Sequence, residues 1–392
     1  MLNNFRGLPS NVWRMGVAQA LMMTMMNVNI INTGLAGGLL APLPWLATLP
    51  LSLQFVATML ATLPASLVMA RLGRRPVFIF GVLLAASSAF VQAFSIVIGS
   101  FPLFMMAGIT LGVGQGIAQF YRYAAADSVA GPDKPRALSL VLVGGLVAAF
   151  IGPEIAYRTS GLIDGALYAG CFLSAGIVQL GALVVLAGFS LPKPEKSATS
   201  GRSLAEFIQM PGFVAAVTAA AMGYATMSFL MTATPLQIVN ISQLGNEANA
   251  RVIQWHVIAM FLPSLFTGSL IVRFGVYKIL WSGVLLYVAT ILAALAGTGF
   301  WHYWLALVLL GLGWNFLFIG GSSMIAGFAE PHERGRIQGV ADFAIFSCVA
   351  SASLLAGILH SQLGWVVLVM TGIVPVLLIS LSLLQARQAA KD

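Results

Sequence analysis

The chain has 392 residues, 59% of them hydrophobic and 8% charged, with a mean hydropathy of +0.95. That balance excludes a soluble globular protein and requires an integral membrane one. The formal net charge of +8 is distributed as a topology signal and needs no nucleic acid to explain it.

Apolar runs of about 20 residues, enough to cross a hydrocarbon core of about 30 Å as a helix, recur along the whole chain. They are continuous rather than alternating, so none reads as a barrel strand. Twelve transmembrane helices are predicted, and the fold class is an all-α membrane protein.

The first helix, 12–40, contains Met22-Met23-Thr-Met25-Met26 followed by Asn27, Asn29 and Asn32. Unpaired amides in hydrocarbon are costly, so part of this helix is expected to face a polar space. Its length and amides are unlike a cleavable signal. Helices two and three, 44–70 and 76–97, flank Arg71-Leu-Gly73-Arg74-Arg75. The fourth, 101–129, holds Arg122 and Asp127; the fifth, 137–159, holds Gly144-Gly145 and Gly152-Pro153-Glu154; the sixth is 164–190. A polar stretch, 192–210, links an N-terminal half, 1–191, to a C-terminal half, 211–392.

Helix seven, 211–239, contains Met227 and Met231, and helix eight, 251–272, contains His256 and Met260. Helices nine to twelve are 278–298, 302–328, 337–360 and 363–385. Intramembrane ionisable groups mark ion routes or structural pairs. Glu154, Asp342 and Arg122 are therefore candidates for ion coupling, with pairing between helices as the alternative. Cys171 and Cys348 lie in apolar helices, as small buried hydrophobes or as thiolate ligands, and form no disulfide framework.

With both termini inside, sixteen of the 19 Lys and Arg residues fall on inner segments. The positive-inside rule is then met at every inner loop.

The halves echo each other. Arg71-Leu-Gly73 returns as Arg273-Phe-Gly275 at an offset of 202, and Leu111-Gly-Val-Gly-Gln-Gly returns as Leu310-Gly-Leu-Gly-Trp-Asn at 199. Two six-helix halves with this inner-loop arginine and glycine motif resemble the major facilitator superfamily over the whole chain. The resemblance implies a secondary transporter working by alternating access, with Arg71, Gly73, Arg74, Arg75, Arg273 and Gly275 as an inner gate. The family's usual acidic residue before the first arginine is replaced by Ala70 and Val272, which weakens the expected charge relay. The Gly152-Pro153-Glu154 segment resembles the glycine-proline motif of proton antiporters without its trailing glycine pair.

The cargo must be read from side chains. Met227/Met231 and His256/Met260 are both i, i+4 pairs and each pair shares a helix face. At 1.5 Å per residue, Met231 and Met260 both lie roughly 13 Å from the outer ends. Thioethers and neutral imidazole suit copper(I), whereas hard cations prefer oxygen donors. Met22 and Met26 repeat the Met227/Met231 pair at an offset of 205 and extend the candidate path. Methionine is also ordinary filler in membrane helices.

The two pairs, within Met231-Thr-Ala-Thr-Pro235 and Met260-Phe-Leu-Pro-Ser264-Leu-Phe-Thr-Gly268, resemble the CcoA-like copper importers. That resemblance implies copper(I) as transported cargo with no permanent cofactor, supply of cytochrome oxidase assembly, a copper chaperone as partner, a monomer, and a bacterial cytoplasmic membrane. A related branch carries riboflavin, and Gly313-Trp-Asn-Phe316 fits either branch. The alternative is therefore an organic solute carrier, importing a riboflavin-like compound or exporting hydrophobic compounds against protons. A third reading is a non-transporting sensor that holds a metal. The chain has no nucleotide-phosphate loop and no zinc-ligand spacing, so an enzyme is not expected.

Overall fold

The computed structural model describes residues 7–129, 133–190, 202–330 and 333–389, and all regular structure among them is helical. In chain order the helices are α1 Ser10–Leu40, α2 Leu49–Leu72, α3 Arg74–Val97, α4 Phe101–Ala118, α5 Tyr121–Asp127, α6 Lys134–Thr159, α7 Ala169–Ala187 and α8 Leu204–Ile208. There follow α9 Pro211–Leu236, α10 Gly245–Phe261, α11 Ser264–Phe274, α12 Val276–Leu295, α13 Phe300–Phe328, α14 Arg334–Thr371 and α15 Ile373–Ala389.

Among the described residues, nine segments are long and apolar enough to cross a membrane, and the bent pair α10 and α11 makes a tenth. The segment Ile337–Ala389 spans 53 residues, length for two crossings, and Gly364 breaks it with φ of 78°. The remaining crossing is α1, 31 residues long, whose asparagines lower its hydropathy. Twelve helical passages result.

Several boundaries differ from the sequence expectation. The fourth passage is two pieces, α4 and α5, and the sixth begins at Ala169. The eighth bends by 43° between α10 and α11. Pro263 sits at that break and cannot donate the backbone bond that would carry the helix through. The last two passages divide at Gly364. Within the polar link, Ser203 and Glu206 form a reciprocal capping box that starts α8, the arrangement that Ser-x-x-Glu favours.

The chain divides into two compact units, Met1–Glu195 with Gly245–Gln254, and Lys196–Leu244 with Trp255–Asp392. In the first, α1 packs on α6 and α7, and α4 packs on α2 and α3. In the second, α9 packs on α13, α14 and α15, and α12 packs on α13. The first ten residues of α10, Gly245–Gln254, thus belong by packing to the first unit.

The α1 amides do not face a polar space. Asn27 donates to the Ala148 carbonyl at 3.0 Å, Asn29 to Gln92 Oε1 at 3.1 Å and Asn32 to the Val28 carbonyl at 2.8 Å. All three are buried. Asn27 and Asn29 tie α1 to α6 and α3, while Asn32 bonds back within α1; interhelical bonds of this kind are worth about 0.6–2 kcal/mol each.

The repeated glycine motif is a close-packing device. A Cβ on Gly112 would sit 2.2 Å from the Gln54 carbonyl oxygen, and one on Gly311 would sit 2.5 Å from that of His256. Small residues of this kind let membrane helices approach backbone to backbone. The repeat reaches the turns as well. Gly73 has φ 89° and ψ 165°, and Gly275 has φ 85° and ψ 146°, a region essentially reserved for glycine. Each joins two helices with no intervening loop.

Candidate functional site

Met227 and Met231 are buried on α9, and His256 and Met260 are buried on α10. Among the described hydrogen bonds, ion pairs and ring contacts, none joins the two pairs. The repeat-related positions of the first unit do touch. In the first unit, Gln54 Nε2 donates to the Met26 sulfur at 3.5 Å. Advanced by 202 and 205 residues, those positions become His256 and Met231. Met22 is buried beside Met26 on α1.

His256 has a defined tautomer. Its Nδ1 lies 2.7 Å from the Leu307 carbonyl oxygen, which can only accept, so Nδ1 carries the proton and donates. Nε2 then presents a lone pair, buried and without a partner among the described residues. A buried acceptor left unmet costs on the order of 1–3 kcal/mol. Just beyond His256, Asn315 of α13 donates to the Met260 carbonyl at 2.7 Å and to Ser264 Oγ at 2.6 Å, and accepts from Thr267 Oγ1 at 2.6 Å. This network bridges the α10–α11 bend and holds Met260 against α13, where the Leu307 carbonyl already holds His256. Among the described residues no group of three or more His, Cys, Asp and Glu could hold a metal; a soft site would rest on the thioethers and this imidazole.

Two features were not legible beforehand. One is a group of rings from four helices: Tyr224 of α9, Phe261 of α10, Trp314 and Phe318 of α13, and Phe346 of α14. Trp314 and Phe318 are stacked with centroids 5.0 Å apart and planes at 10°. Tyr224 meets both edge-on at 5.4 Å. The other is a polar chain in which His360 donates to Gln237 Oε1 at 3.0 Å and Gln237 Nε2 donates to the Tyr303 hydroxyl at 3.1 Å. It lies at the π-helical turn Gln237–Ile241, and turns of this type often accompany functional sites.

The candidate gate and coupling residues are mostly committed to partners. Arg74 is buried and pairs with Asp127, while Arg75 donates to the Ala187 carbonyl at 2.7 Å. Arg71 is exposed in the last turn of α2, where a cation complements the helix dipole. Arg273 lies over the Phe274 ring at 5.1 Å. Glu154 is held between Arg158 at 2.5 Å and Arg251 at 3.2 Å. Arg122 donates to the Tyr123 hydroxyl at 3.1 Å, and Asp342 is half-buried on α14. Cys171 is buried and donates to the Ala156 carbonyl, and Cys348 is half-buried; both are free thiols.

Residues 15–248 match the Major Facilitator Superfamily. The chain belongs to this superfamily. Its members are membrane transporters, and enzymatic chemistry is not part of this chain's role. Two solved transporter structures share the fold. A bacterial homologue of the human lysosomal transporter Spinster superposes with a TM-score of 0.70 at 13% identity, covering 97% of this chain and 96% of that one. The nucleoside transporter NupG gives 0.69 at 11% identity, covering 96% and 99%.

A relative from Brucella anthropi, the riboflavin transporter RfnT, is 42% identical over 359 residues, 91% of this chain and 90% of its own length. The printed role of this relative is riboflavin transport, so the superfamily expected from the sequence stands and the copper-importing branch gains no support from it.

Proposed function

We propose that this chain carries riboflavin or a closely related flavin across a bacterial cytoplasmic membrane by alternating access, with both termini on the inner side. The observation that carries this reading is the 42% identity to a riboflavin transporter across nine-tenths of both chains. The aromatic group on α9, α13 and α14 supports it, because a flat tricyclic solute is best gripped by rings.

Copper(I) import is the second reading. It is favoured by one observation, the His256 tautomer. Its Nδ1 donates to a carbonyl and its Nε2 is unmet, which is how metal-binding histidines are usually oriented. Met227, Met231 and Met260 would complete the donor set, with Met22 and Met26 as its continuation.

The test is growth and accumulation in one strain. A bacterium unable to make riboflavin, expressing this chain, should grow on external riboflavin at concentrations where the empty strain does not. Its copper content should match that of the empty strain. Copper accumulation without riboflavin rescue would reverse the order of the two readings.

A further inference from the structure

The ring group in the second unit sits at an unusual depth. Tyr224 is the fourteenth of 26 residues of α9, and Trp314 is the fifteenth of 29 residues of α13. Both are therefore at mid-span. Tryptophan and tyrosine normally gather where membrane meets water, because each has a polar atom to satisfy. Trp255, Trp301 and Trp304 do so here, clustered near the start of α13 with Trp301 71% exposed. Trp314 does not: it is buried, and its Nε1–H has no partner among the described residues.

A second unmet group accompanies it. Ser228 lies one turn beyond Tyr224 on the same face of α9, buried with its hydroxyl unpartnered among the described residues. The same α9 face meets α13 through the Tyr224 contacts with Trp314 and Phe318. Tyr224, Phe318, Phe261 and Phe346 are each only half-buried. A packing cluster would bury its rings and pair its polar atoms. This one buries Trp314, leaves the rings around it partly exposed, and keeps two polar groups unmet at membrane mid-depth, where superfamily substrates bind.

We infer that Tyr224, Trp314 and Phe318 form a cradle for a flat fused heteroaromatic ring, with the Trp314 indole N–H and the Ser228 hydroxyl available to its carbonyl oxygens and ring nitrogens. The proposal rests on the flavin reading of function for the identity of its ligand. The rings grip the tricyclic part of a flavin and not its sugar-alcohol chain. Stacking on the indole also quenches flavin fluorescence, which supplies a readout independent of transport.

The test uses the purified full chain in detergent, titrated with riboflavin, with lumichrome, which is the tricycle without the chain, and with ribitol. Riboflavin and lumichrome should bind within about tenfold of each other, and ribitol should not compete. Tyr224→Ala and Trp314→Ala should each weaken binding about tenfold or more, the usual effect of removing a stacking partner. Trp314→Phe keeps a ring, guards against misfolding, and should lose about threefold through the missing N–H. Trp301→Ala at the exposed cluster should change nothing. Unchanged affinity in Tyr224→Ala and Trp314→Phe, with riboflavin uptake intact in the parent, would overturn the cradle and leave the flavin reading standing. Lumichrome binding that depends on Tyr224 and Trp314 in a parent that takes up no riboflavin would support the cradle and overturn the flavin reading. Binding of neither flavin compound would overturn both.

Discussion

Arg251, near the start of α10, reaches Glu154 of α6 at 3.2 Å, and Glu154 also holds Arg158 at 2.5 Å. Around this pair, Tyr168 donates to Asn246 Oδ1 at 3.1 Å and Tyr157 lies 3.5 Å from Glu247. These bonds dock the start of α10 onto α6 and α7. Partly exposed ion pairs contribute about 0–1 kcal/mol to stability, so the role predicted for Glu154 is conformational. Arg251→Glu should slow uptake several-fold without reducing the amount of protein in the membrane, and the exchange Glu154→Arg with Arg251→Glu should restore most of the rate. If Glu154 instead carries a coupling proton, Glu154→Gln alone abolishes concentrative uptake and the exchange does not rescue it.

Gly73 and Gly275 have matching backbone angles, and a Cβ at either would meet nothing within 4 Å. Substitution there costs only backbone strain, about 1–3 kcal/mol. Gly73→Val and Gly275→Val should lower Vmax several-fold with KM within about twofold of the parent, since the strain falls on a turn between helices and not on a ligand contact. A raised KM with unchanged Vmax would contradict this assignment.

At the N-terminus of α14, Glu333 accepts from the Arg202 guanidinium through both carboxylate oxygens, at 2.7 Å in the shortest case, and from the Arg202 backbone N–H at 2.6 Å. The Arg202 hydrogen bonds lower its carboxyl from 4.5 to about 2. The sign follows from linkage: a depressed carboxylate contributes its full stabilisation above about pH 4.5 and loses it as pH falls towards about 2. Glu333→Gln should therefore melt below the parent by the same margin at pH 6, 7 and 8, and the margin should shrink below pH 4.5. Melting curves in detergent check this, and a margin that varies between pH 6 and 8 would refute it.

The methionine pairs separate the two cargo readings. Met227→Leu, Met231→Leu and Met260→Leu keep volume and hydrophobicity while removing the thioether, swaps that usually cost less than about 1.5 kcal/mol. Each should leave riboflavin uptake within about twofold of the parent. A copper ladder predicts instead that these variants lose copper flux with no change in protein level.

What the sequence carried plainly was whatever is local or periodic. Continuous apolar runs marked the twelve passages, and the 202-residue echo of Arg71-Leu-Gly73 in Arg273-Phe-Gly275 foretold two turns with the same backbone. Contacts between distant segments were hidden. The α1 asparagines looked like cavity-lining groups because their partners, the Ala148 carbonyl and Gln92, lie 121 and 63 residues away. Glycines in Leu-Gly-x-Gly were visible as a repeat, but not the carbonyls of Gln54 and His256 that they admit. At the candidate site, i, i+4 spacing exposed Met227, Met231, His256 and Met260. Tyr224, Trp314 and Phe346 come from three helices and have no shared spacing to find.

The most direct test of the account is uptake into sealed proteoliposomes containing only this chain, with labelled riboflavin outside and unlabelled riboflavin inside to drive exchange. Saturable riboflavin exchange is expected, inhibited by excess lumichrome but not by ribitol, and unchanged when copper is chelated. Absence of riboflavin exchange in vesicles that accumulate copper(I) would contradict it.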